Sequence, residues 1–206
     1  IALEVSMMEE TLPAQRHDAR HALARIARNL RYVDNLIHDL LDLSAIDASR
    51  FAIHTEPTEL CALVGEVVDR MVSTRDHDRV SLVSNGTLVV DADSRRIERV
   101  VANLVQNALK YSPRPSPISV LVDRDHDRAR VSVSDAGPGM APDEALRAFE
   151  KYRRARITRH HDGYGLGLYV SRKIIEAHDG TIGVDSVLGR GSRFSFTLPL
   201  LEVPVG

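Results

Sequence analysis

The feature that most restricts the fold of this 206-residue chain is a change of hydrophobic period near residue 50. Before it, Leu23, Ile26, Leu30, Val33, Ile37 and Leu40 follow spacings of 3, 4, 3, 4 and 3, the a/d seam of a heptad helix. Leu36, Leu41, Leu43 and Ile46 widen the stripe beyond a two-stranded seam. A helix from about Ala14 to about Ala48 would be on the order of 50 Å long at 1.5 Å per residue. Ile1 to Glu10 also reads as helical, and Pro13 suits the first turn of the helix that follows. Two helices cannot bury so wide a stripe, and a symmetric dimer closing a four-helix bundle is the simplest solution. The sequence therefore predicts a dimerisation hairpin over 1–50, a connector over 51–57 and a second domain over 58–206.

Beyond residue 50, strand and helix signals alternate. Leu60 to Val72 and Ile97 to Lys110 are amphipathic helices, and Val80 to Val83 and Leu88 to Val90 are short strands. Ile118 to Val122 and Ala129 to Ser134 alternate with period two around a polar turn, Arg124-Asp125-His126-Asp127. A helix from about Gly167 to Ala177 precedes strands at Thr181–Asp185 and Arg193–Pro199. The fold class is α+β: a helical hairpin, then a two-layer α/β sandwich with a mixed sheet.

Composition narrows the function. A net charge of −2 argues against a broad electrostatic grip on nucleic acid. No run approaches the roughly 18 apolar residues of a membrane span. One cysteine, Cys61, excludes an internal disulfide framework and fits a reducing cytoplasm. Lysine is scarce, so Lys110, Lys151 and Lys173 draw notice.

Three segments carry chemistry. Asp135-Ala136-Gly137-Pro138-Gly139-Met140 follows a strand; its aspartate can accept a hydrogen bond from an exocyclic amine, and its glycines let backbone approach a flat ring. A plain turn is the competing reading. Gly163-Tyr164-Gly165-Leu166-Gly167-Leu168 runs into a helix whose N-terminal N–H groups favour phosphate. The stretch before it, Arg153 to Asp162, reads as a lid or as a solvated loop. Asn103, Asn107 and Lys110 stand at i, i+4 and i+7, so two amides and an ammonium share one helical face that could serve Mg²⁺ and phosphate.

Taken in this order, the segments resemble the kinase core of bacterial sensor histidine kinases, members of the Bergerat-fold (GHKL) ATPases. Asn103 to Tyr111 is similar to the N box, Asp135 to Gly139 to the first glycine box, and Phe149-Glu150-Lys151-Tyr152-Arg153-Arg154 to the F box. Gly163 to Leu168 resembles the second glycine box, Gly189-Arg190-Gly191-Ser192 the glycine turn before the last strand, and Asp39 to Ser44 the end of the second dimerisation helix. The resemblance implies that ATP and Mg²⁺ are bound. Asp135 would take the adenine amine beside Gly137 and Gly139, and Asn107, supported by Asn103, would take the metal. Lys110, Tyr111, Lys151, Arg153 and Arg154 would face the nucleotide. Gly165, Leu166, Gly167 and Leu168 would lend backbone N–H groups to its phosphates, and Gly163 would belong to the same ATP-binding set.

The family's phosphoacceptor motif, H-[ED]-x-[RK]-[ST]-P, does not occur in the chain. The resemblance implies that the acceptor histidine and its acidic neighbour precede Ile1, so that this piece binds ATP without phosphorylating itself. His17-Asp18-Ala19-Arg20 imitates the motif but lacks its Ser/Thr-Pro and follows the Pro13 break. His17 with His21, and His160 with His161, have metal-like spacing but no completing ligand. The implied protein is a homodimeric, cytoplasmic histidine kinase core, joined to a membrane only through an upstream sensor region. It would pass its phosphoryl group to a response-regulator receiver domain. The alternatives are a nucleotide-binding dimeric scaffold without kinase output and a serine-directed kinase of the same ATPase class.

Overall fold

The computed structural model describes residues 51–152 and 165–201 throughout, with individual positions between 23 and 48. The chain divides into two compact units, Ile1–Phe51 and Ala52–Gly206. In the first, Leu23, Ile26, Leu30, Val33, Leu36, Ile37 and residues 40–46 are helical, as the heptad spacing predicts. Leu43 is buried, whereas Ile26, Val33, Ile37, Leu40 and Leu41 are 45–62% exposed in the single chain. The expected first helix and the Pro13 break lie outside the described residues.

The second unit opens with β1 (Glu56–Glu59), which pairs antiparallel with β3 (Val89–Ala92). Glu56 and Pro57, expected in the connector, thus belong to a strand. Proline is tolerated there because the pair is a two-stranded ribbon. α1 (Leu60–Met71) buries Leu60, Leu63, Val64, Val67 and Val68, an i, i+3, i+4, i+7, i+8 stripe. The Glu59 carboxylate caps it, accepting the N–H groups of Cys61 and Ala62. The same carboxylate accepts the Leu88 N–H, and the Leu88 carbonyl accepts the Leu60 N–H. Leu88 therefore faces the first residue of α1 and not a β1 residue, so β3 begins one residue later than the sequence predicts.

A 3₁₀ turn (His77–Arg79) leads into β2 (Val80–Ser84). α2 (Ser94–Tyr111) buries Ile97, Val100, Val101, Leu104, Val105 and Ala108. It starts earlier than its apolar periodicity because Asp93 caps it, accepting the Arg96 N–H. β4 (Ile118–Asp125) and β5 (Arg128–Asp135) form a hairpin. Its turn is only His126-Asp127, tighter than predicted, because His126 adopts φ 59° and the Arg130 guanidinium pairs with Asp125. α3 (Pro142–Leu146), α4 (Gly167–Ala177), β6 (Thr181–Val187) and β7 (Gly191–Pro199) complete the unit.

The main sheet has the order β2-β4-β5-β7-β6, with β2 and β4 parallel and the other neighbours antiparallel. It is the mixed sheet the sequence implies. Register places Val120, Val122, Val131, Val133, Phe194, Phe196 and Leu198 on one face, all buried. Each such side chain removed from water contributes about 1.5–3 kcal/mol. The opposite face carries Arg130, Ser132, Arg193, Ser195 and Thr197, groups that need no second apolar layer. Among the described residues, no helix is long and apolar enough to cross a membrane.

Candidate functional site

α2 forms one wall of the candidate site. Its Asn103, Asn107 and Lys110 are all half-buried, yet the two amides differ in their surroundings. Asn103 Nδ2 donates to Ser171 Oγ of α4 at 3.0 Å. A Cβ on Gly167, the first residue of α4, would lie 2.6 Å from Asn103 Oδ1. Among the described residues, Asn107 makes no side-chain hydrogen bond. Lys110 Nζ sits 4.9 Å from the centre of the Tyr111 ring.

Asp135 ends β5 beside the C-terminus of α2, where a Cβ on Gly137 would come within 3.0 Å of the Tyr111 carbonyl oxygen. Burial pushes the Asp135 carboxyl above its ordinary range, opposed by the Gly137 N–H that its Oδ1 accepts at 2.7 Å. The loop after Asp135 is braced by the β6–β7 turn. Gly139, at φ +63°, passes so close to Val187 that a Cβ would lie 2.1 Å from the Val187 oxygen. Ser186 Oγ accepts the Met140 N–H at 2.8 Å and donates to the Gly191 carbonyl at 3.0 Å. The Gly189 N–H donates to the Pro138 carbonyl at 2.7 Å. Two glycine segments far apart in sequence thus hold one another.

The third segment supplies the N-terminus of α4. Glu59 and Asp93 cap α1 and α2, but Leu166 gives α4 no side-chain cap. Among the described residues, its first N–H groups therefore have no side chain closing them off. Leu166 is buried and Leu168 half-buried, while Gly165 adopts φ +69°. Phe149 packs edge-on against Phe194 of β7, with ring centres 6.3 Å apart. Lys151 Nζ lies 5.1 Å from the centre of the Tyr169 ring on α4. Lys173 is engaged by Glu176 at 2.6 Å, an ion pair along α4. Arg153, Arg154 and Gly163 lie outside the described residues, as do His17, His21, His160 and His161.

Three supporting residues escaped the sequence reading: Ser171, Ser186 and His178. The buried His178 accepts the Asp93 N–H at Nε2 (3.0 Å) and bonds the Ile174 carbonyl through Nδ1 (2.7 Å). A carbonyl can only accept and an N–H can only donate, so both contacts select one neutral tautomer. No local signal marks any of the three, because each has at least one partner that arrives from another element.

Residues 92–202 match the family of histidine kinase-, DNA gyrase B- and HSP90-like ATPases. The chain belongs to this family. Within it, the matched relatives are bacterial sensor histidine kinases. The adaptive-response sensory kinase SasA of a Synechocystis species is 36% identical over 202 residues, covering 96% of this chain and 52% of SasA. The sensor histidine kinase WalK of Bacillus subtilis is 33% identical over 174 residues, covering 81% of this chain and 28% of WalK. Full-length ShkA, solved in complex with AMPPNP, has a TM-score of 0.72 at 26% identity, covering 97% of this chain and 42% of ShkA. The chain spans about half the length of SasA and less of WalK. Its α+β fold with a mixed sheet is that of the ATPase domains of histidine kinases.

Proposed function

We propose that the Ala52–Gly206 unit binds ATP with Mg²⁺, and that the whole protein uses it to phosphorylate a histidine. The observation that carries this reading is the convergence on α2 of three features: an Asn107 amide and an α4 N-terminus that no side chain among the described residues engages, and the half-buried Asp135. Asp135 spends one oxygen on Gly137, which leaves the other to accept the adenine amine, with Gly137 and Gly139 holding the loop beside it. Asn107 offers a neutral amide oxygen. Such a group would suit Mg²⁺, a hard cation that takes oxygen ligands. The metal supplies neutralisation of phosphate charge. Lys110, Tyr111 and Lys151 are assigned to the nucleotide, and Arg153 and Arg154, outside the described residues, are assigned to it by the family motif alone. Gly165, Leu166, Gly167 and Leu168 would give backbone N–H groups to the phosphates, with Gly163, outside the described residues, assigned to the same nucleotide-binding segment.

Phosphoryl transfer needs positioning and charge stabilisation more than covalent chemistry from the protein, and this set supplies both. The γ-phosphoryl group passes from ATP to an imidazole nitrogen, releasing ADP. It then moves to a carboxylate oxygen of a response-regulator aspartate. Dimerisation through the helical unit is supported by its heptad seam, whose Ile26, Val33, Ile37 and Leu40 are 45–50% exposed in one chain. An apolar stripe so exposed calls for a second copy. The complex of ShkA with AMPPNP supports nucleotide binding by analogy.

Calorimetric titration with a non-hydrolysable ATP analogue and Mg²⁺ tests the site. The parent should bind, and Asp135→Asn should weaken binding by roughly tenfold to a hundredfold, as expected for loss of a hydrogen bond to a charged acceptor. A folded parent that fails to bind at millimolar nucleotide would overturn the proposal.

A further inference from the structure

Asn103 and Asn107 stand one turn apart on the same face of α2, and the structure treats them differently. Asn103 is held by a hydrogen bond at its nitrogen and by close packing at its oxygen. Its Nδ2 donates to Ser171 Oγ at 3.0 Å, and its Oδ1, Cγ and Nδ2 all lie against Gly167, at 2.6, 3.1 and 3.3 Å from where a Cβ would be. The amide is therefore stacked on the first residue of α4, and only the absence of a side chain there allows the approach. Ser171 is 2% exposed and sits among Val170, Ile174 and Ile175 on the buried stripe of α4. A hydroxyl at such a position costs stability unless it is bonded, and an apolar residue would fill the same space. Asn107, by contrast, makes no side-chain hydrogen bond among the described residues.

We propose that Asn103 and Ser171 form a positioning pair: a strut between α2 and α4 that sets the spacing between the metal-binding amide of Asn107 and the phosphate-facing N-terminus of α4. In this assignment Asn103 is not a metal ligand. The inference rests on the nucleotide-binding reading above and gives Ser171 a part in it. An error in this spacing acts on the nucleotide as a whole, because α4 addresses the phosphates directly and α2 addresses them through the metal. A ligand, in contrast, matters only when metal is present.

The test is the affinity of a non-hydrolysable ATP analogue, measured calorimetrically in excess Mg²⁺ and again in excess EDTA. The parent, Asn103→Ala, Ser171→Ala, Asn107→Ala and the Asn103→Ala/Ser171→Ala double variant are compared, with thermal unfolding as the control for folding. Asn103→Ala and Ser171→Ala should each weaken binding by about fivefold, the size of one net hydrogen bond. The factor should be the same with and without Mg²⁺. The double variant should lose no more than Asn103→Ala alone, since the two side chains act as one unit. Asn107→Ala should instead remove the gain that Mg²⁺ gives. The proposal is overturned if Asn103→Ala removes that gain as Asn107→Ala does. It is equally overturned if Ser171→Ala lowers the unfolding temperature and leaves affinity unchanged, which would make the pair structural only. A folded parent that binds no nucleotide in either buffer would overturn the underlying reading, an outcome distinct from both.

Discussion

Gly139 concentrates the problem that the loop after β5 has to solve. Its φ of +63° is left-handed, and the Val187 carbonyl oxygen occupies the space a Cβ would enter, 2.1 Å away. Both faults fall on any other residue: the backbone conformation costs on the order of 1–3 kcal/mol without glycine, and the collision is with backbone, which cannot rotate away. Gly139→Ala should therefore lose roughly 3 kcal/mol of stability in urea denaturation. Gly183, in β6, is the control, since a Cβ there meets nothing within 4 Å and its φ is not left-handed. Gly183→Ala should be neutral or gain up to about 1 kcal/mol. Equal stability of the two variants would show that the loop can shift away from Val187, and that its bracing of Asp135 is loose.

At the scale of elements, His178 is the joint between the C-terminus of α4 and the N-terminus of α2. It takes the Asp93 N–H, while the Asp93 carboxylate caps α2 and also accepts the His54 N–H. His178→Leu keeps the bulk but leaves the Asp93 N–H and the Ile174 carbonyl buried and without this partner. It should cost about 2–3 kcal/mol, and exchange of the Asp93 amide hydrogen should accelerate relative to that of Leu104, deep in α2. Unchanged exchange at Asp93 would refute the joint. This case also shows where sequence reading stops. The stripe of α2, the period-two strands β4 and β5, and the ordered glycine segments are local patterns, and all were legible. So was the face bearing Asn103, Asn107 and Lys110, because helical geometry alone puts i, i+4 and i+7 together. What was not legible is pairing over distance. Asp93 and His178 are 85 residues apart, and Asn103 and Ser171 are 68 apart. The late start of β3 at Val89 depends on Glu59, 29 residues before Leu88. Propensity carries no information about a partner that only the fold supplies.

At the scale of the whole Ala52–Gly206 unit, one ionic cluster joins the segment after α1, the end of α2 and the start of the β2–β4 pair. Asp76 follows α1. Its carboxylate accepts from Ser73 Oγ, from Arg79 Nε at 2.7 Å, and from Arg114 Nε and a terminal guanidinium nitrogen at 3.0 and 2.7 Å. The Arg79 terminal nitrogens reach the carbonyls of Leu109, Ser112 and Ser116, so the cluster closes the C-terminus of α2 against the edge strand β2 and the approach to β4. Burial alone would raise the Asp76 carboxyl, but the hydrogen bonds and charge of Arg79 and Arg114 overcome it and hold it at about 2. A folded-state value below the unfolded one, near 3.9, means that the native state binds the proton less readily. The stability this provides is complete above about pH 5 and is lost as the pH falls toward 2. The side chains of Asp76 and Arg79 are only 10% and 7% exposed, so solvent screens the pair little. The effect is on the order of 2 kcal/mol. Glu59 and Glu176 are also held below their ordinary range and sharpen the acid limb in the same direction. The cluster is therefore isolated by difference. Asp76→Asn should be less stable than the parent at neutral pH by roughly 2 kcal/mol or more, since Arg79 loses its counter-charge while still buried. Its urea midpoint should then fall less steeply than the parent's between about pH 5 and pH 2, so that the two curves converge at the acid end. Parallel curves across that range would mean that the carboxylate's charge contributes nothing, and that the junction of α1, α2 and β2 is held by the carbonyl contacts of Arg79 alone.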